Sequence, residues 1–176
     1  METPRKLILY IAMSLDGYIA APGDNLDFLS RVEKEGEDYG YQAFTAQVDT
    51  VFLGRKTYEK VLSMGVAYHP DKAVYVFTQT PRPPQGSAVF YTGDPASLLE
   101  TLRAQPGQHI YCDGGAELVD VLLRRHLLDE LIISVIPVLL GEGIRLFRDA
   151  RPETPLTLVG VRSYETGLVQ LHYARP

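Results

Sequence analysis

From Leu7 to Arg125, short apolar runs alternate with stretches whose apolar residues recur every three or four positions; beyond Leu131 that alternation stops. No other feature constrains the fold as strongly. Strands separated by helix-length segments are joined by crossovers, which build a parallel sheet with helices on its faces. Leu7–Met13 is continuously apolar, the pattern of a strand covered on both sides. Further strands read at Tyr18-Ile19-Ala20, Thr50–Leu53, Ala73–Phe77, Ser87–Tyr91 and Gln108–Cys112. Helical spacing begins at Leu26 with Leu29 and Val32 and is broken by Gly36. A second helix is expected over Tyr39–Val48, with Phe44 and Val48 facing inward. Others are expected over Lys56–Leu62, over Pro95–Arg103 behind Asp94, and over Glu117–Arg125, where Leu118, Val119, Leu122 and Leu123 form one stripe. In the last third, Leu131–Val138 is β-rich, and Leu156–Tyr164 and Leu168–Tyr173 alternate around Glu165-Thr166-Gly167, an antiparallel hairpin. The expectation is one α/β domain over residues 1–176, with helices on both faces of a mixed, mostly parallel sheet.

Composition narrows the function. A single cysteine, Cys112, excludes an internal disulfide and a cysteine-based zinc site. The net charge of −5 argues against nucleic acid as the main partner. Seven apolar residues at 7–13 are too few to span a membrane, so a cytoplasmic protein acting on a small molecule is expected. No H-E-x-x-H helix, no G-x-S-x-G elbow and no metal-ligand cluster occurs.

Four strand-to-loop junctions carry chemistry, because ligands of open α/β sheets bind beyond the carboxyl ends of strands. Met13–Ala20 leads into the Gly/Pro loop 21–25, which suits a lid or an ordinary surface connection. Phe52-Leu53-Gly54-Arg55-Lys56-Thr57 places glycine, two cations and a hydroxyl at a helix start, a favourable place for an anion. Cations in a first helical turn oppose the helix dipole unless an anion sits nearby. Phe77–Arg82 ends a strand with Thr78, Thr80 and Arg82. Ile110–Leu118 carries Gly114-Gly115 between strand and helix, either a backbone cradle for a diphosphate or a plain helix cap. Its spacing is not G-x-G-x-x-G.

Taken in order, Met-Ser-Leu-Asp-Gly-Tyr-Ile-Ala at 13–20, Leu-Gly-Arg-Lys-Thr-Tyr-Glu at 53–59, Asp-Gly-Gly-Ala-Glu-Leu at 113–118 and the run from Leu128 to Phe147 resemble the dihydrofolate-reductase-like superfamily. The nearest branch is the one shared with the reductase domain of the bifunctional riboflavin-biosynthesis deaminase-reductase, here as a stand-alone member. The resemblance implies a three-layer α/β/α fold and an NADPH-dependent reductase. By that analogy Gly54, Arg55, Lys56 and Thr57 hold the adenosine phosphates and one side of the diphosphate. Thr78 and Arg82 approach the 2′-phosphate, and Gly114, Gly115, Ala116 and Glu117 hold the diphosphate from the other helix. Ile19 and Ala20 lie against the nicotinamide, with loop 21–26 as the lid.

For the substrate, the same analogy points to Asp27, with Asp24 as its rival, as the carboxylate that anchors a pterin- or pyrimidine-like ring. The Trp-Asn-Leu-Pro and Asp-Pro-x-Leu runs of the two named branches are absent. That absence motivates the alternative, an NADPH- or metabolite-binding protein without turnover. Relatives imply a homodimer, with 131–138 and Gly141-Glu142-Gly143 as the expected contact.

Overall fold

A computed structural model describes residues 4–176, leaving the first three residues of the expected domain outside the described part. The chain order is β1 (Leu7–Ser14), β2 (Tyr18–Ala20), a 3-10 helix (Asp27–Val32), α1 (Tyr41–Thr45), β3 (Val48–Gly54), α2 (Arg55–Ser63), β4 (Ala73–Phe77), β5 (Ala88–Tyr91), α3 (Pro95–Arg103), β6 (His109–Gly114), α4 (Ala116–Arg124), β7 (Glu130–Ile136), β8 (Ile144–Arg145), β9 (Thr157–Ser163) and β10 (Val169–Ala174). Eight strands form one sheet in the order β5-β4-β3-β6-β1-β7-β10-β9. The first six are parallel; β10 runs antiparallel to β7, and β9 antiparallel to β10.

Alternation along the central strands sorts side chains onto two faces. Leu7 and Leu9 of β1, Phe52 of β3, and Ile110 and Cys112 of β6 pack against Leu98, Leu99 and Leu102 of α3 and Leu118, Val119 and Leu122 of α4. Val51 and Leu53 of β3 and Tyr111 of β6 face the other way, toward Phe44 of α1 and Tyr58 of α2. Phe28 and Val32 of the 3-10 helix cover Ile136 and Leu168 on that same side. Burying a side chain of this size contributes roughly 1.5–3 kcal/mol, so these layers supply the driving force that positions the strand ends.

Two helices are shorter than their spacing suggests. The segment expected from Leu26 is a single 3-10 stretch, Asp27–Val32. The helix expected over Tyr39–Val48 is confined to Tyr41–Thr45. Tyr39 and Gly40 take left-handed φ values of 57° and 82°, and the Asp38 carboxylate accepts from the Gly40 and Gln42 amides, which sets the start two residues late. At the other end Val48 is taken into β3, paired with His109, where sheet bonds outweigh one more helical turn. Strand β7 is hydrogen-bonded on both edges, by β1 and β10, so it offers no free edge to a partner. The free edge at that end is β9, where Leu158, Val159 and Val161 are each more than half exposed.

Candidate functional site

The helix after β3 and the helix after β6 leave adjacent strands toward opposite faces of the sheet. Such a switch point opens a crevice beyond the carboxyl ends of the two strands. A Cβ built on Gly54 would lie 3.7 Å from the Gly115 amide nitrogen and 3.8 Å from the Gly114 carbonyl oxygen. One built on Gly115 would lie 3.0 Å from Thr57 Oγ1. The N-termini of α2 and α4 therefore approach one another with only glycine between them.

Neither helix carries a side-chain cap: Gly54 and Gly115 occupy the cap positions, with no side-chain bond to the first turn. By contrast, α3 is capped by the Asp94 carboxylate, which accepts from Ser97 N. Each uncapped N-terminus leaves backbone N–H donors unsatisfied and carries a partial positive charge. The donor set fits the phosphates of a dinucleotide: two convergent rows of amides, the Thr57 hydroxyl, and nearby cations.

The cations are arranged around one carboxylate. Arg55 donates to Glu59 at 2.7 Å and Arg82 donates to the other oxygen at 3.1 Å. The Arg55 bond, with that of Arg82, holds the Glu59 carboxyl below its ordinary range. Arg82 also lies over the Phe90 ring, 5.7 Å from its centre. Exposed Lys56 pairs with no carboxylate among the described residues. Thr78 follows β4, whose Phe77 is paired with Gly54, and its hydroxyl accepts from Thr80 N. Glu117 stands in the first turn of α4, 3.5 Å from Arg148, and Ala116 beside it is buried. Gly54, Arg55, Lys56, Thr57, Gly114, Gly115, Ala116 and Glu117 are thus brought to one crevice, with Thr78 and Arg82 on its β4 side.

Ile19 and Ala20 are held by a separate ladder, in which β2 pairs with β8. Ala20 is buried, and Ile19 packs against the core that includes β1 and α4. Gly143 faces Ala20 so closely that a Cβ there would fall 2.0 Å from the Ala20 carbonyl oxygen, and its φ of 136° also requires glycine. The turn before β2 is pinned by Asp16, which accepts from Ser14 Oγ, Leu140 N and Gly141 N. The Ser14 bond, aided by the two amides, lowers the Asp16 carboxyl to about 2. Loop 21–26 closes on itself through reciprocal bonds between Ala21 and Asn25.

Beside this crevice, Tyr111 and Asp113 of the fourth junction join polar atoms of Tyr41, Tyr68 and His69, which none of the four junctions contains. Asp113, the last but one residue of β6, accepts from Tyr68 Oη at 2.5 Å and from Tyr111 Oη at 2.8 Å. Burial, reinforced by the Asp113 charge, pushes both phenols above their ordinary range, so they keep their protons and remain donors. Tyr41, raised to about 12 mainly by burial, shares a hydrogen bond with His69 Nε2 at 3.1 Å. Burial lowers the His69 pKa, which favours a neutral ring. Tyr111 and Asp113 stand two positions apart on one strand and so share a face, a signal readable from sequence; Tyr68 and His69 come from a loop with no such signature.

Tyr10 and Tyr41 extend this group into a cleft of about 610 Å³. Its strand floor is Tyr10, Ala12, Ser134 and Ile136, and Leu29 and Val32 of the 3-10 helix form a wall. Gln170 Nε2 lies 3.2 Å from Tyr10 Oη, from Ser134 Oγ and from the Tyr39 carbonyl. Asp27 is on the same 3-10 helix but exposed; its carboxylate accepts from Asn25 Nδ2 at 3.1 Å, and it is not among the cleft-lining residues. Asp24 sits at the loop tip with a φ of 56°. Cys112 is fully buried and its thiol is pushed up to about 12 by that burial, which fits a packing role.

Comparison with known proteins agrees with this fold. Residues 5–170 match the family described as the RibD C-terminal domain. YwjB of Bacillus subtilis (strain 168), an uncharacterized protein, is 45% identical over 174 residues, 97% of this chain and 98% of its own. A solved structure from Shewanella sp. PV-4, whose name provisionally places it in riboflavin biosynthesis, matches with a TM-score of 0.89 and 30% identity, over 97% of this chain and 99% of that one. Dihydrofolate reductase from Enterococcus faecalis, solved with NADP(H), shares the fold with a TM-score of 0.68 and 19% identity, over 97% of this chain and 96% of that one.

Proposed function

Because the chain belongs to the RibD C-terminal domain family, we propose that it is an NADPH-dependent reductase whose acceptor is a small, flat, polar heterocycle or a related imine or carbonyl compound. One observation carries the reading: two uncapped helix N-termini meet across Gly54 and Gly115 at a switch point, directly beside the Asp113–tyrosine group. When bound, NADPH supplies the hydride, and the protein supplies position and electrostatics.

The residues divide that work. Amides of Arg55, Lys56, Thr57, Ala116 and Glu117 bind the diphosphate, and the Thr57 hydroxyl adds a donor. Arg55 and Arg82, already oriented by Glu59, take the 2′-phosphate together with Thr78. Ile19 and Ala20, fixed by the β2–β8 ladder, form the surface for the nicotinamide. Loop 21–26 excludes water. The acceptor enters the cleft beside Tyr10 and Tyr41, where flat rings can stack on aromatic side chains. Asp113 has acceptor positions left after its two phenol bonds and orients an N–H of the acceptor ring. Asp27 contributes a carboxylate from the outer end of the 3-10 helix. The proton that follows the hydride comes through water or a phenol of the cluster.

This reading includes a cytoplasmic homodimer, with the exposed apolar residues of β9 as the surface that a second copy would cover. Calorimetric titration with NADPH tests the central assignment; no binding at high micromolar concentration refutes it. Binding without oxidation of NADPH across a panel of heterocycles assigns the chain to the binding-only alternative. Arg82→Ala narrows the preference for NADPH over NADH, and an unchanged preference removes Arg82 from the 2′-phosphate site.

A further inference from the structure

The cleft beside Tyr10 is built from two unlike parts. Its inner surface is aromatic and aliphatic, from Tyr10, Tyr41, Leu29 and Val32, with Ser134 as the polar point on the floor. Ser134 is only 5% exposed; its Oγ accepts from Gln170, which leaves the hydroxyl proton for whatever occupies the cleft. The outer part is acidic, contributed by Glu33, Glu35, Glu37 and Asp38. Among the described residues one cation lines the cleft, Lys34, and it pairs with Glu165 at 2.7 Å.

Asp38 is held below its ordinary range by bonds from the Gln42 and Gly40 amides. Glu37 accepts from Tyr39 N at 2.8 Å, and neither Glu33 nor Glu35 pairs with a cation among the described residues. A concave site rimmed by one sign of charge concentrates ligands of the opposite sign and repels those of its own. One further cation, Arg162, stands at the edge of the cleft, 4.0 Å from where a Cβ on Gly40 would lie, whereas Arg55 and Arg82 lie around Glu59 and Lys56 lies at the start of α2.

We propose that the acceptor taken by this cleft is an uncharged or, preferentially, amine-bearing heterocycle, and that rings carrying a phosphate or carboxylate arm are turned away. The proposal rests on reading the cleft as the acceptor's seat and adds its charge class. The stacked ring lies against Tyr10 and Tyr41, a ring acceptor atom takes the Ser134 proton, and the cationic arm points to the Glu33–Asp38 rim. Charge selection of this kind is achieved as much by rejecting the wrong ligand as by attracting the right one.

Three probes test it: 6-aminouracil carrying a hydroxyethyl, an aminoethyl or a phosphoethyl arm on its exocyclic nitrogen. Each is titrated by ligand-observed NMR against the full chain saturated with NADPH, and again without NADPH. The aminoethyl compound is expected to bind at least about tenfold more tightly than the phosphoethyl compound at low salt, with a gap that shrinks as added salt shortens the screening length. In a Glu33→Gln/Glu35→Gln variant the gap narrows, while the hydroxyethyl compound binds as before. Equal or tighter binding of the phosphoethyl compound overturns the proposal, and so does failure of all three to bind. The predicted order in a chain that does not bind NADPH upholds the charge selection and refutes the reductase reading instead.

Discussion

Gly54→Ala separates the stability of the fold from its affinity for a dinucleotide. Gly54 has a φ of −79°, which alanine adopts without strain, and its new Cβ would meet its nearest neighbours at 3.7 and 3.8 Å, ordinary contact distances. At a helix cap, alanine is worse than glycine by roughly 0.5–1 kcal/mol, while a restricted unfolded chain returns about 0.4–1 kcal/mol. The two effects nearly cancel, so the urea midpoint should barely move. The methyl group, however, lies in the gap between the α2 and α4 amides. Losing even one charge-assisted hydrogen bond to a phosphate costs about 1.5–3 kcal/mol, or roughly 10- to 150-fold in affinity. Calorimetry with NADPH and a urea titration on the same preparation measure both quantities. An affinity within threefold of the parent, in a variant of unchanged stability, would refute the placement of the diphosphate between the two helices.

Other expectations follow from individual contacts. Asp113→Asn turns two charge-assisted bonds from Tyr68 and Tyr111 into neutral ones and is expected to cost about 1–3 kcal/mol in urea unfolding, whereas exposed Asp27→Asn stays within about 0.5 kcal/mol; equal costs would remove Asp113 from its central place. The Asp16 carboxyl, lowered to about 2 in the folded chain, contributes stability that is fully present above its unfolded value near 4 and is lost as pH falls toward 2. The thermal midpoint of Asp16→Asn should therefore fall less steeply than that of the parent across this window, and parallel curves would contradict it. Val161→Glu, on the exposed edge strand, is expected to leave a monomer where the parent scatters light as a dimer. A parent that remains monomeric at high concentration ends the dimer reading.

Most of the scaffold was legible because it is written locally. The apolar run Leu7–Met13, the glycines at 54 and 114–115, and the alternation on either side of Gly167 each mark a strand or its end within a few residues. The crevice between α2 and α4 was legible for the same reason, since helix starts carry their own signals. Helix lengths were not, because Val48 has enough apolar character for either element and only its pairing with His109 decides between them. The β2–β8 ladder joins Tyr18 to Arg145 across the length of the domain, and no local pattern announces it. The polar group around Asp113 is of the same kind except for Tyr111, which stands two positions away on the same strand. Tyr68 reaches it from 45 positions away, and burial rather than spacing fixes the protonation of its phenols. The acidic residues at 33–38 belong to no motif, and only the fold shows that they border a cleft.

The central claim is that a dinucleotide diphosphate sits between the N-termini of α2 and α4. Titrating the 15N-labelled chain with NADPH and following its amide resonances tests this directly. The account predicts saturable shifts that are largest at the amides of Arg55, Lys56 and Thr57 and of Gly115, Ala116 and Glu117. Smaller changes are expected at Ile19 and Ala20. Saturable binding whose largest shifts lie elsewhere, or no binding at all, would contradict it.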